Sequence, residues 1–502
     1  MIASEEPITL MFANSRVSCL IGLLSVALCW VCSSHSLLAS ERPNILFAIA
    51  DDWGWHAGAY GDPVVSTKTF DQLAKDGVLF TRAFVSSPSC TPSRAAITTG
   101  QYHWRLEESA NLYGPLRSRF PLYTDLLAEA GYHVGFTRKG WGPGDVRAGG
   151  RTQNPAGKRF RDFKRFLDER PVDAPFCFWF GSSDPHRGYE LGSGAASGIP
   201  LDKIRVPACF PDSPEVRGDV ADYFFEVQRF DREVGQLLEM LKQHGLDKNT
   251  IVVMTGDHGM PFPRCKGNLY DMGAQVPLVM SFPQRFEGGR TVDDFVSLTD
   301  LAPTFLEIAG IDVPQVMTGR SLLGRLAGES TYVPRPHVLI GKERHVPSQE
   351  APDSGGTPMR AIRTDDFLYI KNLRSDRWPA GTPNYQKAFL RGCWYGDVDN
   401  GPTKNYMIDH RDKDEHHRAL FEAAFGMRPA RELYDLRLDP HQLKNVAGQN
   451  QYAEVEAQLE KQLMAELVEA KDPRAVGGGE KFDEYPYSGG APRYPKDRVP
   501  KK

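Results

Sequence analysis

Asn44-Ile45-Leu46-Phe47-Ala48-Ile49-Ala50-Asp51-Asp52 is the stretch on which the fold turns. Ile45 to Ala50 are apolar without alternation, the pattern of a strand covered on both faces, and two adjacent carboxylates follow at once. Three further stretches repeat the arrangement. Tyr132 to Thr137 ends in Arg138-Lys139, Phe176 to Phe180 ends in Gly181-Ser182-Ser183-Asp184-Pro185-His186-Arg187, and Thr250 to Thr255 ends in Gly256-Asp257-His258-Gly259. Helical patterns separate them, over Asp71 to Gly77, Thr124 to Ala130 and, longest, Asp219 to His244. In that last segment Val220, Tyr223, Phe224, Val227, Phe230 and Val234 recur at three- and four-residue spacing before Gly245. Strands alternating with helices predict an α/β fold, a large, mostly parallel sheet sandwiched by helices. Ligands of such sheets bind beyond the carboxyl ends of the strands, so four chemically loaded strand ends are expected to share one crevice.

The next informative stretch is Cys90-Thr91-Pro92-Ser93-Arg94-Ala95-Ala96-Ile97-Thr98-Thr99-Gly100. Proline suits a first helical position and glycine a helix end, so Cys90 is expected at a helix N-terminus, where the dipole favours anions. Arg94 falls one turn on, on the same face. Asp51, Asp52, Asp257 and His258 together make an oxygen-rich set for a hard divalent cation. The carboxylates favour Ca²⁺ or Mg²⁺, while the imidazole also admits zinc or manganese.

The Cys90 stretch carries every fixed residue of the pattern C-x-P-S-R-x-x-x-x-T-G. On those residues the chain resembles the sulfatase family, in which that cysteine is oxidised to formylglycine. Ile49-Ala50-Asp51-Asp52, Asp184-Pro185-His186, Gly256-Asp257-His258-Gly259 and Glu432-Leu433-Tyr434-Asp435 also occur in sulfatase order. Within the family the chain looks most like the sulfamidases, or heparan N-sulfatases. That likeness rests on Asp184-Pro185-His186-Arg187, on Pro261-Phe262-Pro263 with Asn268-Leu269-Tyr270, and on Pro358-Met359-Arg360.

The resemblance implies an alkaline-phosphatase-like fold and hydrolysis of sulfate esters or sulfamates of a sulfated carbohydrate, N-sulfoglucosamine first among them. Cys90, as hydrated formylglycine, would carry a geminal diol, one hydroxyl attacking sulfur and the other later expelling sulfate. Asp51, Asp52, Asp257 and His258 match the metal ligands, with Cys90 completing the shell, although His258 stands where relatives often carry asparagine. Arg94 would stabilise the oxyanion, and Lys266 matches a basic residue that contacts sulfate. Lys139 matches a second such residue, with Arg138 the alternative by a one-residue slip. His186 is the candidate acid for the leaving group and a substrate contact. The histidine that usually follows the lysine is absent, because Gly140-Trp141-Gly142 occupies its place. His345 reads as structural. The resemblance also implies a formylglycine-generating enzyme as maturation partner. Two alternatives are a phosphomonoester or phosphonate hydrolase of the same superfold and a non-catalytic glycan-binding relative.

Composition sets outer bounds. The 502 residues are 41% hydrophobic and 25% charged with a net charge of −4, an ordinary globular balance. No basic run tracks phosphates, which argues against nucleic acid, so an anionic substrate needs local cations. Val17 to Val31 is apolar behind Arg16 and is followed by small residues, which predicts a signal peptide over residues 1–40, with Met11 an alternative start. Export to a periplasmic, extracellular or lysosome-like compartment follows; an uncleaved anchor is the alternative, although the run is short for a stable membrane span. The expected organisation is then a catalytic domain over 41–355, a smaller α+β domain over 356–471 and a loose tail over 472–502. Of eight cysteines three fall in the signal. With Cys90 modified, Cys177, Cys209, Cys265 and Cys393 allow zero, one or two disulfides.

Overall fold

β1, Asn44–Ala50, is buried at every residue. The strands that share its sheet are β2 (Val78–Phe84), β3 (His133–Arg138), β4 (Lys158–Arg159), β5 (Phe176–Gly181), β6 (Thr250–Gly256), β7 (Gln275–Ser281) and β8 (Arg290–Ser297). The computed structural model describes residues 42–498, so the signal peptide expected over residues 1–40 lies outside the described residues. Among those described, the eight strands run in the order β4-β3-β5-β1-β6-β7-β2-β8. β1 pairs in parallel with β5 and with β6, and β3 in parallel with β5. β7 is antiparallel to both of its neighbours, β6 and β2. The sheet is therefore mostly parallel, as its apolar, non-alternating strands predict.

That topology brings the loaded strand ends side by side. Asp51 N donates to Asp184 O at 2.9 Å, Asp257 N to Ala50 O at 3.1 Å and Lys139 N to Gly181 O at 3.0 Å. Helices cover both faces. Ile45, Phe47 and Ile49 pack toward α2 (Cys90–Thr99), α3 (Tyr123–Glu129) and α5 (Leu301–Ile308) through Ile97, Tyr123 and Phe305. The alternate residues Leu46, Ala48 and Ala50 pack toward α1 (Lys68–Asp76) and α4 (Pro214–Gln243) through Phe70, Val220 and Phe230. α4 starts earlier than its apolar periodicity suggests, because Ser213 caps it by accepting from Val216 N at 3.3 Å and Pro214 occupies the first turn.

A second, antiparallel sheet runs β12-β11-β10-β9, from β9 (His337–Lys342), β10 (Met359–Thr364), β11 (Phe367–Asn372) and β12 (Arg431–Asp435). β10 and β11 form an antiparallel hairpin that turns at Asp365-Asp366. β9 belongs to this sheet, so the smaller sheet begins inside the stretch assigned to the catalytic domain. Leu459, Leu463 and Leu467 of α6 (Ala453–Glu469) bury against Leu339, Ile362, Tyr369 and Leu433.

Within the described residues, the segment after 471 is not loose. Asp472 is fully buried and Phe482 is buried in the same core. Composition missed this because the partners, Arg360 above all, are distant in sequence. Within the described residues Cys90, Cys177, Cys209, Cys265 and Cys393 are all free and buried. No helix among the described residues is long and apolar enough to cross a membrane.

Candidate active site

Cys90 is the first residue of α2 and Ser89 is its extended N-cap. Pro92 therefore stands third rather than first, still within the turn whose N–H groups have no intrahelical acceptor. Ser89 makes no side-chain cap; its hydroxyl instead shares a 2.7 Å hydrogen bond with His345 Nδ1. Every residue of α2 is buried. Gly100 ends it in the left-handed region (φ 62°), where a Cβ would fall 2.8 Å from Met317 Sδ.

Cys90 Sγ donates to Asp51 Oδ1 at 3.7 Å and lies 3.3 Å from His258 Nε2. Asp52 adopts φ 70°, a conformation aspartate tolerates better than most residues. The turn breaks strand alternation, so adjacent Asp51 and Asp52 serve one cluster instead of opposite faces. Asp257 Oδ1 accepts from Asp52 N at 2.9 Å and its Oδ2 from Arg94 Nε at 2.7 Å. Ligand atoms of Asp51, Asp52, Cys90 and His258 all lie within 4.8 Å of one another. Asp52 Oδ1 is buried and accepts no hydrogen bond, with His258 Nε2 3.1 Å away. An orphaned carboxylate oxygen in an oxygen-rich cluster suits a hard divalent cation.

Three cations sit among these acids. Lys139 Nζ is 2.5 Å from Asp51 Oδ1, and Lys266 Nζ bridges Asp52 Oδ2 at 2.9 Å and Asp399 Oδ2 at 3.1 Å. Arg138 turns away: at φ 57° it forks Glu233 at 2.6 and 2.8 Å, which places Lys139 rather than Arg138 in the cluster. Gly140, the residue after Lys139, has no room for a side chain. A Cβ on Gly140 would fall 2.6 Å from Asn154 Oδ1 and 2.9 Å from the Phe136 ring.

Arg94 is fully buried and outside the cavity wall. Beyond Asp257 it approaches Asp51 Oδ1 at 3.8 Å and donates to the carbonyls of Lys139 at 3.2 Å and Gly140 at 2.9 Å. Burial opposes charge on Asp51, yet Lys139, His186 and Arg94 hold its carboxyl well below the usual range. Burial likewise opposes charge on Lys266, but Asp399 and Asp52 push its pKa up. Four carboxylates (Asp51, Asp52, Asp257, Asp399) face three cations (Arg94, Lys139, Lys266), so 3 − 4 leaves one excess negative charge. A divalent cation would turn that into an excess positive charge, the sign an anionic substrate requires.

A cavity of about 980 Å³ opens over the cluster, lined in part by Asp51, Cys90, Lys139, His186, Lys266 and Asp399. Asp52, Asp257 and His258 lie beneath it. His345 also lines it, and burial with Lys266 and Lys342 nearby drives its pKa well down, keeping the ring neutral. Asp399 escaped the sequence reading, because Asp397-Val398-Asp399-Asn400-Gly401 has only the composition of a turn. The buried Lys404 shapes that loop, its Nζ donating to the carbonyls of Trp394, Tyr395 and Val398 and to Asn400 Oδ1.

Farther along the wall Arg229 forks Asp184 at 2.5 and 2.7 Å and also pairs with Glu226. Burial and the Asp184 carboxylate push the Glu226 carboxyl up to about 7 against the pull of Arg229. A carboxyl raised on folding contributes stability below its unfolded pKa and loses it as pH rises through the folded value. Glu226→Gln is therefore expected to shrink the loss of thermal stability between about pH 5 and about pH 8. Scanning calorimetry at both pH values tests this, and an unchanged difference in Tm refutes it.

The sulfatase family model matches residues 43–311, and the model described as N-sulphoglucosamine sulphohydrolase, C-terminal, matches residues 256–372. Human N-sulphoglucosamine sulphohydrolase is 31% identical over 494 aligned positions, spanning 87% of this chain and 92% of the human one. An ulvan-active sulfatase from Formosa agariphila is 26% identical over 466 positions, 84% of this chain and 74% of that one. Among solved structures, the phosphonate monoester hydrolase of Silicibacter pomeroyi superposes with a TM-score of 0.64 over 86% of this chain and 96% of its own. Its identity is 18%, so that likeness is one of fold alone.

Proposed function

This chain belongs to the sulfatase family, and on that premise we propose that it hydrolyses the N-sulfate of glucosamine residues in a sulfated glycan. The observation that carries the reading is a convergence. Cys90, inside its eleven-residue pattern, meets an acidic cluster with an orphaned oxygen and two lysines in the wall of one sugar-sized cavity. The match of residues 256–372 to the sulphohydrolase C-terminal model and the 31% identity to the human enzyme favour the N-sulfate over other sulfated positions.

Formylglycine at Cys90 would supply a hydrated, oxygen nucleophile in place of the thiol. Asp51, Asp52, Asp257 and His258 would hold a divalent cation, Ca²⁺ first and Mg²⁺ next, which supplies Lewis-acid charge at a sulfate oxygen. The protein's own residues do the rest. Lys139 and Lys266 line the cavity and neutralise the anionic sulfamate, a preorganised charge that costs no reorganisation during reaction. Arg94 is a positioning residue that fixes Asp257 and the turn at Lys139-Gly140. His186 holds Nδ1 on Arg187 O at 3.0 Å and delivers a proton to the departing amine, which cannot leave as an anion near neutral pH. Maturation requires a formylglycine-generating enzyme, and the N-terminal segment directs export.

Peptide mass spectrometry across Cys90, on protein exported by a host that makes formylglycine, tests the nucleophile. The aldehyde is expected in active material, and an active enzyme with an intact thiol would overturn it. Sulfate release from N-sulfated against 6-O-sulfated glucosamine disaccharides tests the substrate. Faster release from the N-sulfate is expected, and a preference for the O-sulfate discards that part of the reading.

A further inference from the structure

One wall of the cavity comes from the far C-terminal end of the chain, where Gly490, Ala491 and Pro492 line it. This segment is fastened on both sides. Upstream, Arg360 forks the buried Asp472 at 2.5 and 2.9 Å and reaches Glu343 Oε1 at 2.6 Å, while Arg474 holds Glu343 Oε2 at 2.9 Å. Arg377 then takes Asp483 Oδ2 at 3.0 Å, and Arg344 Nη2 donates to Tyr485 O at 2.6 Å. Downstream, Trp394 N donates to Pro492 O at 3.1 Å, Tyr494 N to Gly392 O at 2.9 Å and Asn400 Nδ2 to Arg493 O at 3.0 Å.

Between these anchors the chain is pressed onto Tyr113. The Tyr487 ring meets the Tyr113 ring edge-on with centroids 5.5 Å apart, and the Tyr487 hydroxyl closes the turn on Gly490 O at 2.6 Å. Gly489 passes so close that a Cβ would fall 2.2 Å from the Tyr113 ring. Tyr113, Tyr487 and Ala491 join Leu112 and Val346 in one apolar cluster that also contains Cys90. The wall carrying His186, Asp184, Glu226 and Arg229 is polar and charged. A pyranose has the same two-sided character, with a C–H face that packs on aromatic and aliphatic surface and hydroxyl edges that need polar partners.

We propose that this C-terminal strap is the specificity wall of the active site, its Gly490–Pro492 segment and Tyr113, braced by Tyr487, receiving the apolar face of the sugar that carries the scissile group. The inference rests on the reading of the substrate as a sulfated sugar. Its reach is selectivity rather than chemistry, because none of its residues is among the acids and lysines around Cys90.

The test compares kcat/KM for an N-sulfated glucosamine disaccharide with kcat/KM for 4-methylumbelliferyl sulfate, a flat substrate without a pyranose. Ala491→Trp is expected to lower the sugar-to-aryl ratio by at least about tenfold, chiefly through a raised KM for the sugar, since a misfitted pocket wall discriminates on that scale. Tyr487→Ala, which removes bulk instead of adding it, is expected to move the ratio the same way if Ala491→Trp does not fold. A ratio within about twofold of wild type in a folded variant overturns the strap's role. A wild-type protein that hydrolyses the aryl sulfate but no sulfated sugar would instead overturn the substrate reading, and the strap proposal with it.

Discussion

Cys90→Ala is expected to lower sulfate release by about 10⁴-fold or more while leaving the fold intact, the scale on which nucleophile removal acts in covalent hydrolases. The large effect follows from the absence of a substitute. At the start of α2 Cys90 lines the cavity, while the hydroxyls of Thr91 and Ser93 donate to the carbonyls of Pro143 and Asp257, and the acids around it are tied up: Asp51 by Lys139, Asp52 by Lys266 and Asp257 by Arg94. The small structural effect follows from how little the thiol holds in place. Cys90 is 3% exposed, but its one donated hydrogen bond, to Asp51, is a long 3.7 Å sulfur interaction. Truncation to alanine removes one sulfur atom and no cap, because Ser89 holds the N-cap position. Sulfate assay and a thermal melt on the same preparation check both halves. Residual turnover above about a hundredth of wild type moves the nucleophile elsewhere, and collapse of the melt would make Cys90 a structural residue first.

How far the sequence could be read depended on where each residue's partners lie. An apolar run followed at once by charge marks a buried parallel strand and its ligand-facing end, so Asp51, the Arg138-Lys139 pair, His186 and Asp257 were legible as neighbours from pattern alone. The choice between Arg138 and Lys139 was not, since it hangs on a left-handed turn at Arg138 that no spacing rule reveals. Arg94 is legible as part of the constellation, whereas its buried link to Asp257 is not. Asp399 was invisible because it reaches Lys266 from more than a hundred positions away in a stretch that resembles any polar turn. The strap was hidden for the same reason. Glycine, proline and lysine after residue 471 suggest disorder, yet Arg360, Arg377 and Tyr113 wait for that segment elsewhere in the fold. Local pattern predicts elements; long-range ion pairs decide which ends of the chain they hold.

Asp257→Ala carries the second large expectation, and it combines stability with metal binding. Asp257 is fully buried and serves two partners at once, Asp52 N at 2.9 Å and Arg94 Nε at 2.7 Å. Truncation strands the Arg94 guanidinium, itself fully buried, whose Nη2 already lacks a hydrogen-bond partner. Breaking a buried pair in this way costs about 3–5 kcal/mol, well above the loss of a surface ion pair. Urea unfolding at neutral pH should show that drop, and Asp257→Asn, which keeps the shape and one acceptor, should lose less. The metal reading adds a separate signature. Chelation with EDTA is expected to lower the midpoint of wild type, because a ligand bound only to the folded state stabilises it by mass action. The same chelation should leave Asp257→Ala unmoved, whatever either protein does to sulfate. An equal EDTA shift in both proteins would remove Asp257 from the metal site while leaving its pairing with Arg94 in place. A variant as stable as wild type would show that the pairing itself contributes little.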